Sequence, residues 1–460
     1  MSTPVTLSLP DEHLSGHVRA LRDANLAFSR RYPGESGARQ PVHTVYGGGH
    51  LFRSDTARKL GDVALRALDE HAPDAATFAR AIGLSEGRAP NDSLASKVYD
   101  RVREKLKREP VEDFRIDFED GYGARPDAEE DGHVNQAARE VAKGWSANTL
   151  PAYIGIRIKP LNEEWRRRSV RTLDVFLTTL TRELGGRAPS GLLITVPKIT
   201  VVEQVTYAAA LLGELETRLG LQRGTLRFEI MVEMPQIIVD ATGRCTIPAL
   251  IDAGEGRISA AHFGTYDYTA GCGITAAYQL MRHEACQYAL RTMQAALAST
   301  GVWMSDGSTT VLPVAPFPNE RRAENTAAVH RAWRLHYEDV RHSLANGFYQ
   351  GWDLHPAQLP TRYAALFAFF LEGLDAAGER LRNFVARAAQ ATLAGDVFDD
   401  AATGQGLLNY FLRAVESGAI TADDAASRSG LTIEELQGKS FVRILATRTR
   451  RNLTDTAAGS

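Results

Sequence analysis

Short β-rich runs alternate with amphipathic helical stretches through most of this chain, and that alternation restricts the fold more than any other feature. The strand candidates are 41–47, 114–118, 153–158, 192–197, 227–233, 258–264, 310–314 and 351–354. Between and after them, apolar residues recur at three- and four-residue spacing over 55–70, 133–145, 163–183, 201–219, 275–299, 321–346 and 361–376. Strands that alternate with helices make βα units and a parallel sheet. Eight such units predict a closed (β/α)8 barrel, a TIM barrel, with its site at the C-terminal ends of the strands. The rival is a doubly wound sheet, which carries a Gly-x-Gly-x-x-Gly turn after its first strand. Gly47-Gly48-Gly49-His50 is glycine-rich in that place but lacks the spacing.

Three segments lie outside the eight units. Residues 1–40 read as a helical N-terminal arm, and 41–376 as the barrel, with a helical insertion at about 71–112. Residues 377–460 read as a helical C-terminal extension, with helices at 377–393, 405–417, 421–428 and 432–450. The extension has apolar positions at Leu407, Leu408, Phe411 and Leu412 that must be buried, and a symmetric oligomer is one way to bury them.

Composition excludes several classes of function. The net charge of -3 gives no electrostatic footprint for nucleic acid. No apolar run reaches the roughly 18 residues a membrane span needs, and MSTPVTLSLPDEHL has no secretory pattern. Cys245, Cys272 and Cys286 show no zinc spacing, and an odd number cannot pair completely, which points to a reducing, cytoplasmic setting.

The chemistry sits at the strand ends. Strand residues alternate faces, so Arg115, Asp117 and Glu119 share the face opposite Phe114, Ile116 and Phe118. Charges enclosed in a parallel barrel need partners, which makes Asp117, Glu119 and Asp120 candidate acids around a cation. Glu233 and Asp267, each delivered by the end of a strand, the fifth and the sixth, are the candidate ligands themselves. Glu229, deeper on the fifth strand, reads as a structural partner. Two carboxylates suit Mg2+, which keeps water and substrate oxygens in its remaining positions; Mn2+ is the substitute. Arg157 on the third strand has the forked geometry for a substrate carboxylate, and Gly155 beneath it leaves room for a substrate to approach. Pairing with the buried acids is its other reading. Metal plus arginine points to a small oxo-acid or hydroxy-acid as substrate.

These residues together resemble the citrate lyase β-subunit and malyl-CoA lyase group of the HpcH/HpaI aldolase superfamily. The resemblance runs in order over roughly 41–410. It rests on Asp117-Phe118-Glu119-Asp120, the Arg157 strand, Val196-Pro197-Lys198, Val232-Glu233, Phe263-Gly264-Thr265-Tyr266-Asp267 and Leu354-His355-Pro356-Ala357-Gln358. It implies a metal-dependent carbon–carbon lyase or aldolase acting through an enolate. Glu233 and Asp267 would be on the metal, with Arg157, Glu119, Asp120 and Lys198 near the substrate. It also implies a homo-oligomer built on trimers, trimer or hexamer. Gly395-Asp396-Val397-Phe398-Asp399 is similar to the segment whose aspartate reaches a neighbouring subunit's site, so Asp399 is a candidate acid/base group; His50, after the first strand and with a usable imidazole, is the other, an exposed loop histidine being its bland reading. For Asp399 a helix N-cap is the other reading. The family's Arg-x-Asn is Arg157-Ile158-Lys159 here, and its Phe-Val-Pro-Gly strand is Val45-Tyr46-Gly47-Gly48. A coenzyme A thioester substrate therefore stays open beside a pyruvate-type aldolase that uses no coenzyme A. A non-catalytic binding barrel is the reading from another class.

Overall fold

A computed structural model describes residues 8–9, 14–36, 38–84, 92–318, 320–386, 392–394, 397–399, 401–438, 440–441, 443–444 and 447–448. In chain order the elements begin with α1 (Ser15–Arg31), β1 (His43–Gly48), α2 (Thr56–His71), α3 (Ala75–Ile82), α4 (Asp92–Arg108), β2 (Asp113–Asp117) and α5 (Asp127–Ser146). Next come β3 (Tyr153–Arg157), α6 (Arg166–Glu183), β4 (Leu192–Val196), α7 (Val202–Leu219), β5 (Arg227–Val232), α8 (Pro235–Ile238) and α9 (Ile247–Ala253). Then follow β6 (Ile258–Phe263), α10 (Thr265–Gly271), α11 (Glu284–Leu297), β7 (Trp303–Ser308), α12 (Arg322–Ala345), β8 (Gln350–Asp353) and α13 (Leu359–Ala386). A short hairpin, β9 (Thr392–Ala394) and β10 (Val397–Asp399), precedes α14 (Ala401–Glu416), α15 (Ala422–Ser429) and α16 (Ile433–Gln437).

Strands β1 to β8 pair in sequence order, all parallel, and β8 closes on β1. The fold is the (β/α)8 barrel that the alternation predicts. Phe114, Ile116, Ile154, Ile156, Phe228 and Ile230 are buried and pack outward against the helices. Their alternation with charged residues leaves a polar lumen where such barrels usually stack branched aliphatics.

The seventh strand is not at 310–314 but at Trp303–Ser308. Ser305-Asp306-Gly307-Ser308 has the composition of a turn, yet all four residues are buried. Asp306 accepts hydrogen bonds from Ser343 Oγ (2.6 Å) and from the Gly307 amide (2.7 Å), which satisfies its carboxylate inside the barrel. A Cβ on Gly307 would lie 1.9 Å from Thr265 Oγ1, so no larger residue fits there. The β-prone run after it projects into solvent, with Val311 and Val314 exposed.

The insertion is helical, as α3 and α4. The eighth barrel helix does not stop near 376. Helix α13 has 28 residues, about 42 Å at 1.5 Å per residue. It descends antiparallel to the strands, so its C-terminal half extends past their N-terminal ends. The extension packs there. Leu407, Leu408 and Phe411 are buried within the same chain, so these side chains need no second subunit to cover them. Arg413 of α14 reaches Gln40 (3.0 Å) and Glu35 (2.7 Å), ahead of β1, and fixes this end opposite the strand C-termini.

Candidate active site at the barrel mouth

A polar column rises through the lumen. At its base Arg115, fully buried, donates from Nε and Nη2 to Glu229 at 2.9 and 2.7 Å. It also donates to Thr195 Oγ1 (3.1 Å) and pairs with Asp113. Glu229 is held well below the ordinary glutamate range because Arg115 and His262 outweigh the effect of burial. His262 Nε2 lies 3.1 Å from Glu229, and Trp352 Nε1 donates to His262 Nδ1 at 3.2 Å. That bond makes Nδ1 the acceptor and places the ring proton on Nε2, facing Glu229. The Trp352 and Tyr46 rings lie 4.8 Å apart, and the Arg157 guanidinium sits 4.7 Å above Tyr46. Glu229 is the structural partner that its depth predicts.

At the top of the column Arg157 is clamped. Its Nε and Nη2 donate to both Asp117 oxygens at 2.7 and 2.6 Å, and Nη1 lies 3.1 Å from Glu119 Oε2. Both sequence readings of Arg157 are compatible with this geometry. Asp117 fixes the Nε–Nη2 edge of the fork, and Nη1 faces Glu119. Gly155 does not make room for a ligand. A Cβ there would stand 1.7 Å from Leu193 O, so glycine is required by the approach of β4.

Glu233 follows β5 directly and is 2% exposed. Its Oε1 accepts the Lys198 amide at 2.6 Å. Asp267 is not on a strand. It lies in the first turn of α10, after Gly264 has carried the chain past Glu233. A Cβ on Gly264 would sit 2.4 Å from Glu233 Oε2. Burial and then the like charge of Asp267 push the Glu233 carboxyl up to about 8. Asp267 is raised too, by burial, with Lys198 pulling the other way. Burial raises Glu119, whereas in Asp120 the Lys198 hydrogen bond and charge overcome burial and hold it low.

Lys198 ties the group together. Its ammonium bonds Glu119, lies 3.0 Å from Asp120 Oδ2 and stands 3.8 Å from Asp267 Oδ1. Six of the residues singled out from sequence thus converge: Glu119, Asp120, Arg157, Lys198, Glu233 and Asp267. A groove of about 360 Å3 runs outward from them past Lys159, Asn162 and Trp165.

His50 is not in this group. Its ring packs on Tyr122 (5.6 Å) and His133 (5.9 Å) at the rim, and burial followed by Arg125 lowers its pKa. The backbone of Asp399 lies in β10, whose neighbour α14 packs against α13 at the far end of the barrel; its side chain is outside the described residues. Sequence reasoning missed Tyr46, His262 and Trp352. Alternation from Thr44 on β1 gives Tyr46 an inward direction, and Trp352 just ahead of His355-Pro356 was a further signal.

The donors present fit a hard cation. Glu119 Oε2 is buried and accepts no hydrogen bond, although Arg157 lies close. Among the described residues, no group of three or more His, Cys, Asp or Glu side chains forms a metal cage. Two carboxylates with open positions are the arrangement in which Mg2+ retains water and takes substrate oxygens.

The fold and mouth define a (β/α)8 barrel with an acid–arginine–lysine site. The chain belongs to the family described as a domain of unknown function, DUF6986, whose profile matches residues 21–444. Comparison with curated proteins finds no match. Among solved structures, a citrate lyase from Burkholderia xenovorans superposes with a TM-score of 0.52 at 20% identity, covering 72% of this chain and 91% of that one. CitE from Mycobacterium tuberculosis, in complex with magnesium, acetoacetate and coenzyme A, gives 0.44 at 13% identity, with coverages of 86% and 99%. A Haloferax volcanii malate synthase magnesium/glyoxylate complex gives 0.44 at 13%, with coverages of 89% and 97%. The likeness to the citrate lyase is one of fold, the (β/α)8 barrel. Among the described residues, no helix is long and apolar enough to cross a membrane.

Proposed function

We propose that this protein is a divalent-metal-dependent carbon–carbon lyase or aldolase that cleaves or forms a small hydroxy-acid, with an oxo-acid as one partner. The observation that carries the reading is the convergence of Glu233 and Asp267 on Arg157 at the mouth. Glu233 and Asp267 would hold Mg2+ or Mn2+. A bound ion would polarise the oxo-acid carbonyl as a Lewis acid. Arg157, held rigid by Asp117, orients the substrate carboxylate and places positive charge beside the oxygen where charge develops. In the cleavage direction the carbon–carbon bond breaks, the hydroxyl loses its proton to become a carbonyl, and the electron pair passes to the departing fragment as an enolate. With His50 turned to the rim, Glu119, Asp120 or Asp399 from another copy takes that proton.

The departures at Lys159 and on β1 favour neither a coenzyme A thioester nor a free acid, and both are substrates to assay. An oligomer is supported by α1, which buries none of its 17 residues and exposes Val18, Leu21 and Phe28. Sedimentation of wild-type protein and of a Leu21→Glu/Phe28→Glu variant tests it. The catalytic reading is tested by calorimetry with glyoxylate and pyruvate in Mg2+. Metal-dependent oxo-acid binding, lost in Glu233→Ala, is the expected result; binding that ignores the metal sinks it.

A further inference from the structure

Lys198 is the one residue that touches every carboxylate of the mouth outside the Asp117 clamp. Its amide binds Glu233, and its ammonium lies against Glu119, Asp120 and Asp267. These acids come from three places: the turns after β2 and β5, and the first turn of α10. Lys198 reaches all of them by adopting φ 49°, a left-handed conformation that is uncommon for a side chain of this kind. Strain of this type persists where surrounding contacts determine it, and here the contacts are the acids themselves. The other nearby cation, Arg157, is clamped by Asp117 and reaches only the two acids after β2, Glu119 at 3.1 Å and Asp120 at 4.0 Å. Three carboxylates therefore surround one ammonium and the amide of the same residue holds a fourth, so Lys198 stands between the two acids that the proposed function gives to the metal and the two beside the substrate.

We propose that Lys198 is a built-in counter-cation: its ammonium neutralises the acid cluster until a divalent ion binds, and the ion then displaces it into the outer groove. This rests on the metal reading above and adds to it that ion and ammonium compete for the same charge. The groove gives the displaced side chain a destination. It is lined by Lys198 itself, Asn162 and Trp165, and the Lys198 side chain is already 26% exposed toward solvent. An ammonium released there stands beside the path of an incoming acid, so metal must load before substrate can use Lys198. Two like charges a few ångströms apart in a poorly solvated site repel each other. Relief of that repulsion, together with removal of the competitor, acts in the same direction on metal affinity.

The test uses the whole purified protein and MgCl2 as the probe. Calorimetric titration of Lys198→Met is expected to give a Mg2+ affinity at least tenfold tighter than wild type. Lys198→Asn, a residue that tolerates the left-handed backbone, is expected to behave the same way and guards against a folding defect in the first variant. In wild-type protein, an amine-acylating reagent read by peptide mass spectrometry is expected to modify Lys198 faster once Mg2+ is added. Equal or weaker Mg2+ binding in both variants, or slower labelling of Lys198 with Mg2+, overturns the counter-cation while leaving the metal reading intact. Absence of Mg2+ binding in wild type and variants alike overturns both.

Discussion

Replacing Glu233 with glutamine should make the metal-free protein more stable while removing its response to Mg2+. The folded protein holds the Glu233 proton up to about pH 8, against 4.5 for an ordinary glutamate. The unfolded chain releases that proton near 4.5, so wild-type stability falls as pH rises from 4.5 to about 8 and levels off above. Each unit in that window costs about 1.4 kcal/mol, so at pH 7.5 the cost is on the order of 4 kcal/mol. Glutamine keeps the acceptor for the Lys198 amide but adds an NH2 group with no assured partner, which offsets about 1–2 kcal/mol of the gain. At about 2.1 cal/mol/K of unfolding entropy per residue, a chain of this length shifts by roughly 1 °C per kcal/mol. Glu233→Gln should therefore melt roughly 2–3 °C above wild type at pH 7.5 in chelator and roughly 1–2 °C below it near pH 4.5, where only the added NH2 group counts. Saturating Mg2+, at about 100 times its Kd, adds about 2.7 kcal/mol to the wild type and nothing to the variant. Differential scanning fluorimetry across pH, with and without MgCl2, reads both effects. A variant that melts at or below wild type at pH 7.5, by an amount independent of pH, would refute the placement of Glu233 in an uncompensated acid pair.

Other expectations follow from particular contacts. Gly264→Ala should push Glu233 out of position and weaken Mg2+ binding by tenfold or more while the barrel remains folded, as read by calorimetry and circular dichroism. Arg157→Lys keeps the charge but not the fork that Asp117 grips, so oxo-acid affinity should fall with Mg2+ affinity little changed; equal loss of both would assign Arg157 to the metal site instead. Arg115→Met strands Glu229 and Asp113 in the lumen and should cost about 3–5 kcal/mol in urea unfolding, part of it recovered in Arg115→Met/Glu229→Gln. If Asp399 serves a neighbouring copy, mixed oligomers of Asp399→Ala and Glu233→Ala chains should recover activity that neither possesses alone; no recovery after demonstrated subunit exchange assigns Asp399 a local role.

The barrel was legible in the sequence because its signal is periodic. A lone strand such as Tyr153–Arg157 is weak evidence, but eight βα units in order admit one closed parallel arrangement. Alternation along β2 and β5 also placed Arg115, Asp117 and Glu229 in the lumen before any contact was known, and strand ends placed Glu233 at the mouth. Other features depended on distances between segments far apart in the chain. The seventh strand was hidden because Ser305-Asp306-Gly307-Ser308 is turn-like in isolation and becomes a strand only when the interior supplies Ser343 and the close approach of Thr265. Gly155 looked like space for a ligand, whereas β4 fills it. His50 had the right chemistry and sequence position, yet Tyr122 and His133 hold it at the rim. The strong periodicity of α14 showed that its apolar face is buried but not by what; the overlong α13 decides that. Sequence alone specified which groups line the mouth, because pleating fixes the direction of each side chain. Only the tertiary structure could show that four carboxylates share one lysine, because that depends on where loops from four separate βα units converge.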